Sequence, residues 1–117
     1  MTRKSDVSVA DIQEAVRHFR DVRDWHQFHS PKNLSMAIAI EAAELMEHYQ
    51  WLTTEEATAL AQKDAEARKA ITEELADVLI YCLSLVDILE CDVAEIIFDK
   101  LAKNKKKYPV EAYRGRY

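Results

Sequence analysis

Residues 37–51 read AIAIEAAELMEHYQW, an apolar helical rhythm in which Glu41 stands where the pattern asks for a leucine. At about 100° per residue, Leu34, Ile38, Glu41 and Leu45 fall within roughly 60° of one another on a helical wheel. A carboxylate on a core stripe is costly unless it is paired or bound to a metal. Glu44 projects to the flank of the same face one turn later, and the spacing repeats further on as Glu74 and Asp77. Four carboxylates at matched positions on two apolar helices ask for one explanation. A divalent cation supplies it.

The rest of the composition frames that reading. The chain has 117 residues, 49% apolar and 32% charged, which predicts one globular domain over 1–117, with a core from about 8 to 109 and a tail from 110 to 117. The single glycine is Gly115, and the two prolines are Pro31 and Pro109. No helix breaker lies between them, so the expected fold is all-α, an antiparallel bundle of four main helices. A formal charge of −5 excludes a broad nucleic-acid-binding surface, the basic cluster at Lys103 and Lys105 to Lys107 being short and local. Cys82 and Cys91 have no metal-ligand spacing and suit a reducing cytosol. The first residues, MTRKSDVSVAD, show no secretion signal. The longest apolar run, Val78 to Leu89, is too short for a bilayer and contains Asp87. A cytoplasmic protein is expected, with neither membrane nor nucleic-acid polymer as partner.

Capping signals place the helices. Ser8 with Asp11 opens a first helix, from about Val9 to His26. Ser30 as N-cap and Pro31 as the first helical residue open a second, reaching about Tyr49. A capping box from Thr53 to Glu56 starts a short helix ending near Gln62, and a long third main helix follows from about Asp64 to Leu89. Asp92 with Glu95 caps the fourth, which reaches about Lys107 before Pro109; the tail beyond is expected to be mobile. On the third main helix Ile71, Leu75, Val78, Cys82, Leu85 and Leu89 form one stripe, with Ile80 and Leu83 on the opposite side. A helix apolar nearly all round is usually central in a larger assembly, here a homo-oligomer.

Each Glu-x-x-Glu or Glu-x-x-Asp alone is more often a solvated surface; two, one of them interrupting a core stripe, favour a metal. Oxygen-only ligands select Mg²⁺, with Mn²⁺ as substitute, over Zn²⁺, and Mg²⁺ commonly binds substrate phosphates too. A di-iron bundle would need Glu-x-x-His repeats, and Ala15, Arg23, His26 and Leu45 precede the four histidines at that spacing. On the fourth helix Val93, Ile97, Lys100 and Asn104 share a stripe. Lys100 and Asn104, with Lys107 near them, either meet phosphate oxygens or neutralise the carboxylates and snorkel to solvent. Trp25, Phe28, His29, Trp51 and Tyr81 either provide base-stacking surfaces or close the ends of the core, Phe28 favouring the second role and His29 by default a structural one.

The stretches RDWHQFHSPKNLSMAIAIEAAELMEHYQW, EELADVLIYCL and DKLAKNKKKYP together resemble the MazG-like all-α nucleotide pyrophosphohydrolases, in their dCTP pyrophosphatase-like branch. The resemblance covers most of the chain from Asp21 to Pro109. It implies Mg²⁺-dependent hydrolysis of a nucleoside triphosphate, dCTP or a modified dCTP, to the monophosphate and pyrophosphate. It also implies homodimers or homotetramers whose sites are built by two subunits. The metal ligands would be Glu41, Glu44, Glu74 and Asp77. Lys100, Asn104, Lys107 and Tyr108 would contact phosphates, and His29, Trp51 and Tyr81, with Trp25 and Asn33, would line the base and sugar pocket. Glu41, Glu44 or Glu47 would orient or deprotonate the attacking water. Ala42-Ala43 departs from the Val-Gly pair frequent in related sequences, a change that favours the helix. Two other readings stay open: the same fold acting on a different or non-canonical dNTP, and a non-catalytic helical interaction protein.

Overall fold

The computed structural model describes residues 4–116, and every regular element in it is helical. A 3₁₀ turn at Lys4–Asp6 precedes α1 (Val9–Asp21), and a second at Trp25–Gln27 precedes α2 (Pro31–Glu47). Then come α3 (Thr54–Lys63), α4 (Ala65–Ile88), α5 (Val93–Lys107) and the short α6 (Val110–Tyr113). No described helix is long and apolar enough to cross a membrane.

Of the five side-chain caps, all but Asp64 are those the sequence announces. Ser8 and Asp11 exchange hydrogen bonds at the start of α1, and Thr53 and Glu56 do the same at α3. Ser30 accepts from the Asn33 amide behind Pro31 at N1. Asp64 accepts from the amides of Glu66 and Ala67, and Asp92 from that of Glu95. Each such side chain satisfies amides that a helix start leaves without partners, worth about 1 kcal/mol apiece.

Two segments depart from expectation. The first helix stops at Asp21 instead of His26, because Asp24 takes a left-handed conformation with φ 55°. Asp is one of the few residues that tolerate that region. Arg23 closes the helix end by donating to the Phe19 carbonyl, and its guanidinium lies 3.7 Å from the Phe19 ring centre. The chain then turns back, bringing Trp25 edge-on to Phe19 at 5.6 Å. The C-terminal segment, expected to be mobile, forms α6 and packs Tyr113 edge-on against Tyr108 at 5.1 Å. Tyr117 and the first three residues lie outside the described region.

The largest interface joins α2 to α4, with α1 and α3 also resting on α4. From the loop just before α2 and along it, the facing residues on α4 run backwards, His29 meeting Tyr81 and Glu41 meeting Glu74, so the pair is antiparallel. Leu34 on α2, 1% exposed, and Ile71 on α4 are the buried apolar residues among those described. The helix α5 makes at most marginal contact with the rest of the chain. Its Ile97, Phe98 and Leu101 are exposed, as are Leu75, Leu79 and Ile80 on the two sides of α4.

Candidate active site

Antiparallel packing of α2 on α4 puts the two acidic pairs opposite each other. One carboxylate oxygen from each of Glu41, Glu44 and Glu74 lies within 4.8 Å of the other two. The Glu41 carboxyl is pushed up to about 7, first by its hydrogen bond with Glu74, then by burial, then by Glu44. Oε2 of Glu74 is buried and has no hydrogen-bond partner among the described residues. Three like charges this close need either a shared proton or a cation between them. An all-oxygen donor set with an unsatisfied buried oxygen fits a hard divalent ion. Asp77, one turn past Glu74, stands outside this cluster.

Asp77 instead lines a cavity of about 240 Å³ together with Val16, Phe19, Trp25, His29, Ile80, Tyr81, Ser84 and Arg20. The cavity therefore begins one turn from the acidic cluster, and Asp77, Tyr81 and Ser84 mark successive turns of α4 along it. His29 is the hub of its aromatic wall, 6.4 Å from Trp25 and 6.2 Å edge-on from Tyr81 between ring centres. Burial, then the nearby Arg20 charge, hold the His29 pKa below its ordinary value, so the ring is neutral at pH 7. Its Nδ1 is buried with no partner among the described residues.

The other residues singled out in the sequence divide into two groups. Asn33 braces the loop before α2 by donating from Nδ2 to the Phe28 carbonyl at 3.1 Å. Glu47 is exposed, and Trp51 is 87% exposed beyond the end of α2, outside the cavity. Lys100, Asn104, Lys107 and Tyr108 all belong to α5 or its end, and α5 makes at most marginal contact with the helices that carry the acidic cluster. Lys107 lies over the Tyr108 ring, 5.3 Å from its centre.

Arg20 is the site residue that the sequence reading missed. It is 6% exposed and lines the cavity. Its Nη2 donates to Asp87 Oδ2 at 2.5 Å, and Arg17 grips Asp87 Oδ1 at 2.6 Å. Burial pushes the Asp87 carboxyl up, but hydrogen bonds from Arg17 and Arg20 outweigh it and hold it below its ordinary value. Arg20 Nη1 has no partner among the described residues, an unmade bond that costs about 1–3 kcal/mol or more for a charged group. The signal was available: Arg20 follows Val16 by four residues on the apolar stripe of α1, and Asp87 interrupts the apolar run of α4.

A family model, that of the MazG-like family, matches residues 36–116. The chain belongs to this family. It is 38% identical over 111 residues to dCTP pyrophosphatase 1 of Bos taurus, an alignment covering 95% of this chain and 65% of that protein. With the Homo sapiens dCTP pyrophosphatase 1 it shares 36% identity over 108 residues, covering 92% and 63%. The chain thus spans just under two thirds of the length of the curated relatives it matches. Among solved structures it resembles a pyrophosphatase from Archaeoglobus fulgidus, with a TM-score of 0.80 and 36% identity, covering 93% of this chain and 99% of the other. Both acidic pairs fall inside residues 36–116.

Proposed function

We propose that the chain is a Mg²⁺-dependent nucleoside triphosphate pyrophosphohydrolase acting on dCTP or a modified dCTP. The observation that carries this is the meeting of Glu41, Glu44 and Glu74 beside an aromatic cavity, joined to it through Asp77. The names of its relatives agree with that substrate class. Glu41, Glu44, Glu74 and Asp77 would hold Mg²⁺, or Mn²⁺ in its place. When bound, the cation polarises phosphoryl oxygens and offsets charge on the leaving group.

The chain's own residues supply the rest. Trp25, His29 and Tyr81 hold the base by stacking and exclude water from it. Water attacks the α-phosphorus in line, forming one P–O bond as the bond to the bridging oxygen breaks and pyrophosphate leaves. A carboxylate not engaged by the cation takes the water's proton; Glu41, Glu44 and the exposed Glu47 are the candidates. Lys100, Asn104, Lys107 and Tyr108 contact the phosphates, delivered from α5 of a second copy.

The surface of the single chain supports that second copy. Its radius of gyration is 17.4 Å, against roughly 13 Å for a compact domain of this length. Its accessible surface is 9635 Å², against roughly 6500 Å² for a folded monomer of this mass. The excess is what a large obligate homodimer or homotetramer interface covers. Pyrophosphate release across a panel of canonical and 5-substituted dNTPs tests the assignment. Cytosine nucleotides should lead, and release of orthophosphate alone would contradict it.

A further inference from the structure

We propose that Asp87, gripped by Arg17 and Arg20, is a positioning residue: the clasp fixes how far α1 stands from α4, and so holds the cavity between them to the width of a single-ring base and keeps purines out. This rests on the nucleotide reading above and deepens it.

One wall of the cavity comes from α1 and the segment after it, the other from α4. Val16, Phe19 and Arg20 lie on α1, Trp25 and His29 follow it, and Asp77, Ile80, Tyr81 and Ser84 face them from α4. The separation of α1 from α4 is therefore the width of the cavity. Little apolar burial sets that separation: Arg20 is the one buried residue of α1, while Val9, Ile12 and Phe19 stay about half exposed. Among the described residues, the hydrogen bonds and ion pairs that join α1 to α4 all end on Asp87. Arg17 reaches its Oδ1 at 2.6 Å and Arg20 its Oδ2 at 2.5 Å, so both oxygens are taken. Asp87 itself stands one turn beyond Ser84, the last cavity residue of α4.

The chemistry suits a spacer better than a glue. Apolar contacts tolerate sliding, whereas a carboxylate held through both oxygens by two guanidinium groups fixes distance and angle together. A buried ion pair adds little stability over an apolar pair of the same shape, and its attested use is to hold one arrangement against others. The cavity held in this way is about 240 Å³, below the roughly 300–1,000 Å³ of common small-molecule pockets. That is room for one flat ring against Trp25, His29 and Tyr81. The second ring of a purine would have to push α1 outward, at the expense of charge-assisted bonds to an Asp87 side chain only 17% exposed.

The test compares dCTP with dATP as substrates of the full chain, using Asp87→Asn and Arg17→Met. Asp87→Asn breaks the clasp at its centre. Arg17→Met breaks only its outer half, at a side chain 40% exposed, and leaves the buried Arg20–Asp87 pair whole, so it decides the matter if Asp87→Asn folds poorly. The ratio of kcat/KM for dCTP over dATP should fall roughly 10-fold in both variants, through a lower KM for dATP, with kcat for dCTP held. A merely structural role would lower the folded fraction for both nucleotides alike and leave the ratio where it was. An unchanged ratio in folded variants, or a wild type that takes dATP as readily as dCTP, overturns the clasp while leaving the pyrophosphohydrolase reading intact. Wild-type protein that hydrolyses no nucleotide overturns both.

Discussion

Replacing Glu41 with Gln should stabilise the metal-free protein at alkaline pH while abolishing its function. Glu41 faces Glu44 and Glu74, and its carboxyl is pushed from an ordinary 4.5 up to about 7. The folded pKa exceeds the unfolded one, so the contribution of this proton to stability is full below about 4.5 and is lost as pH rises through about 7. At 1.36 kcal/mol per pH unit the loss at pH 8 is bounded by about 3.4 kcal/mol, and water around this half-buried site reduces it to about 1–2 kcal/mol. For a chain of this length that is a Tm rise of roughly 4–8 °C on Glu41→Gln at pH 8. At pH 5, where Glu41 carries its proton in the fold but the unfolded chain has largely lost it, the difference should shrink to about a quarter of that. Mg²⁺ should raise the Tm of the wild type, because it binds only the folded state, and leave the variant nearly unmoved. Calorimetric scans in chelator and in Mg²⁺ at pH 5 and pH 8 read all of this. A variant that melts lower at pH 8, or that Mg²⁺ stabilises as much as the wild type, would refute the reasoning.

Three further outcomes are expected. Asp87→Asn leaves Arg20 buried without its counter-charge and should cost about 3 kcal/mol in urea unfolding at pH 7, the low end for a buried pair because Asp87 keeps 17% exposure. The folded Asp87 pKa is depressed, so the difference should shrink as pH falls below about 3.8. Asp77→Asn should lower kcat at least 100-fold with helical circular dichroism unchanged, since Asp77 stands between the acidic cluster and the cavity on an exposed turn of α4. Phe98→Glu with Leu101→Glu should shift the sedimentation coefficient to a smaller species than the wild type, these residues forming the open apolar face of α5; a wild type that sediments as one copy would contradict the oligomer.

The starts of α1 to α5 were legible because each begins with a side chain that can bond its own first amides, as Ser8, Ser30, Thr53, Asp64 and Asp92 all do, whereas α6 starts at Pro109 without one. The end of α1 was not, because Asp24 enters the left-handed region without the glycine that usually announces it. Glu41 stood out as a charge on an apolar stripe, and the structure brings it within reach of Glu44 and Glu74. Asp77 has the same local spacing yet faces the cavity, since periodicity assigns a helix face but not what lies opposite. Arg20 obeyed the same rule as Glu41 and escaped notice because its partner, Asp87, is 67 residues away. The placement of Lys100 and Asn104 on a helix that stands apart is a property of assembly, which helical periodicity within one chain does not encode.

The most direct measurement is a phosphorus NMR record of the wild type with dCTP, first in chelator and then after Mg²⁺ is added, repeated with Glu41→Gln. Nothing should change in chelator. On adding Mg²⁺, dCMP and pyrophosphate should appear together in equal amounts with the wild type, and neither should appear with the variant. Pyrophosphate formed in chelator, orthophosphate in place of pyrophosphate, or equal turnover by Glu41→Gln would contradict a metal site built on Glu41.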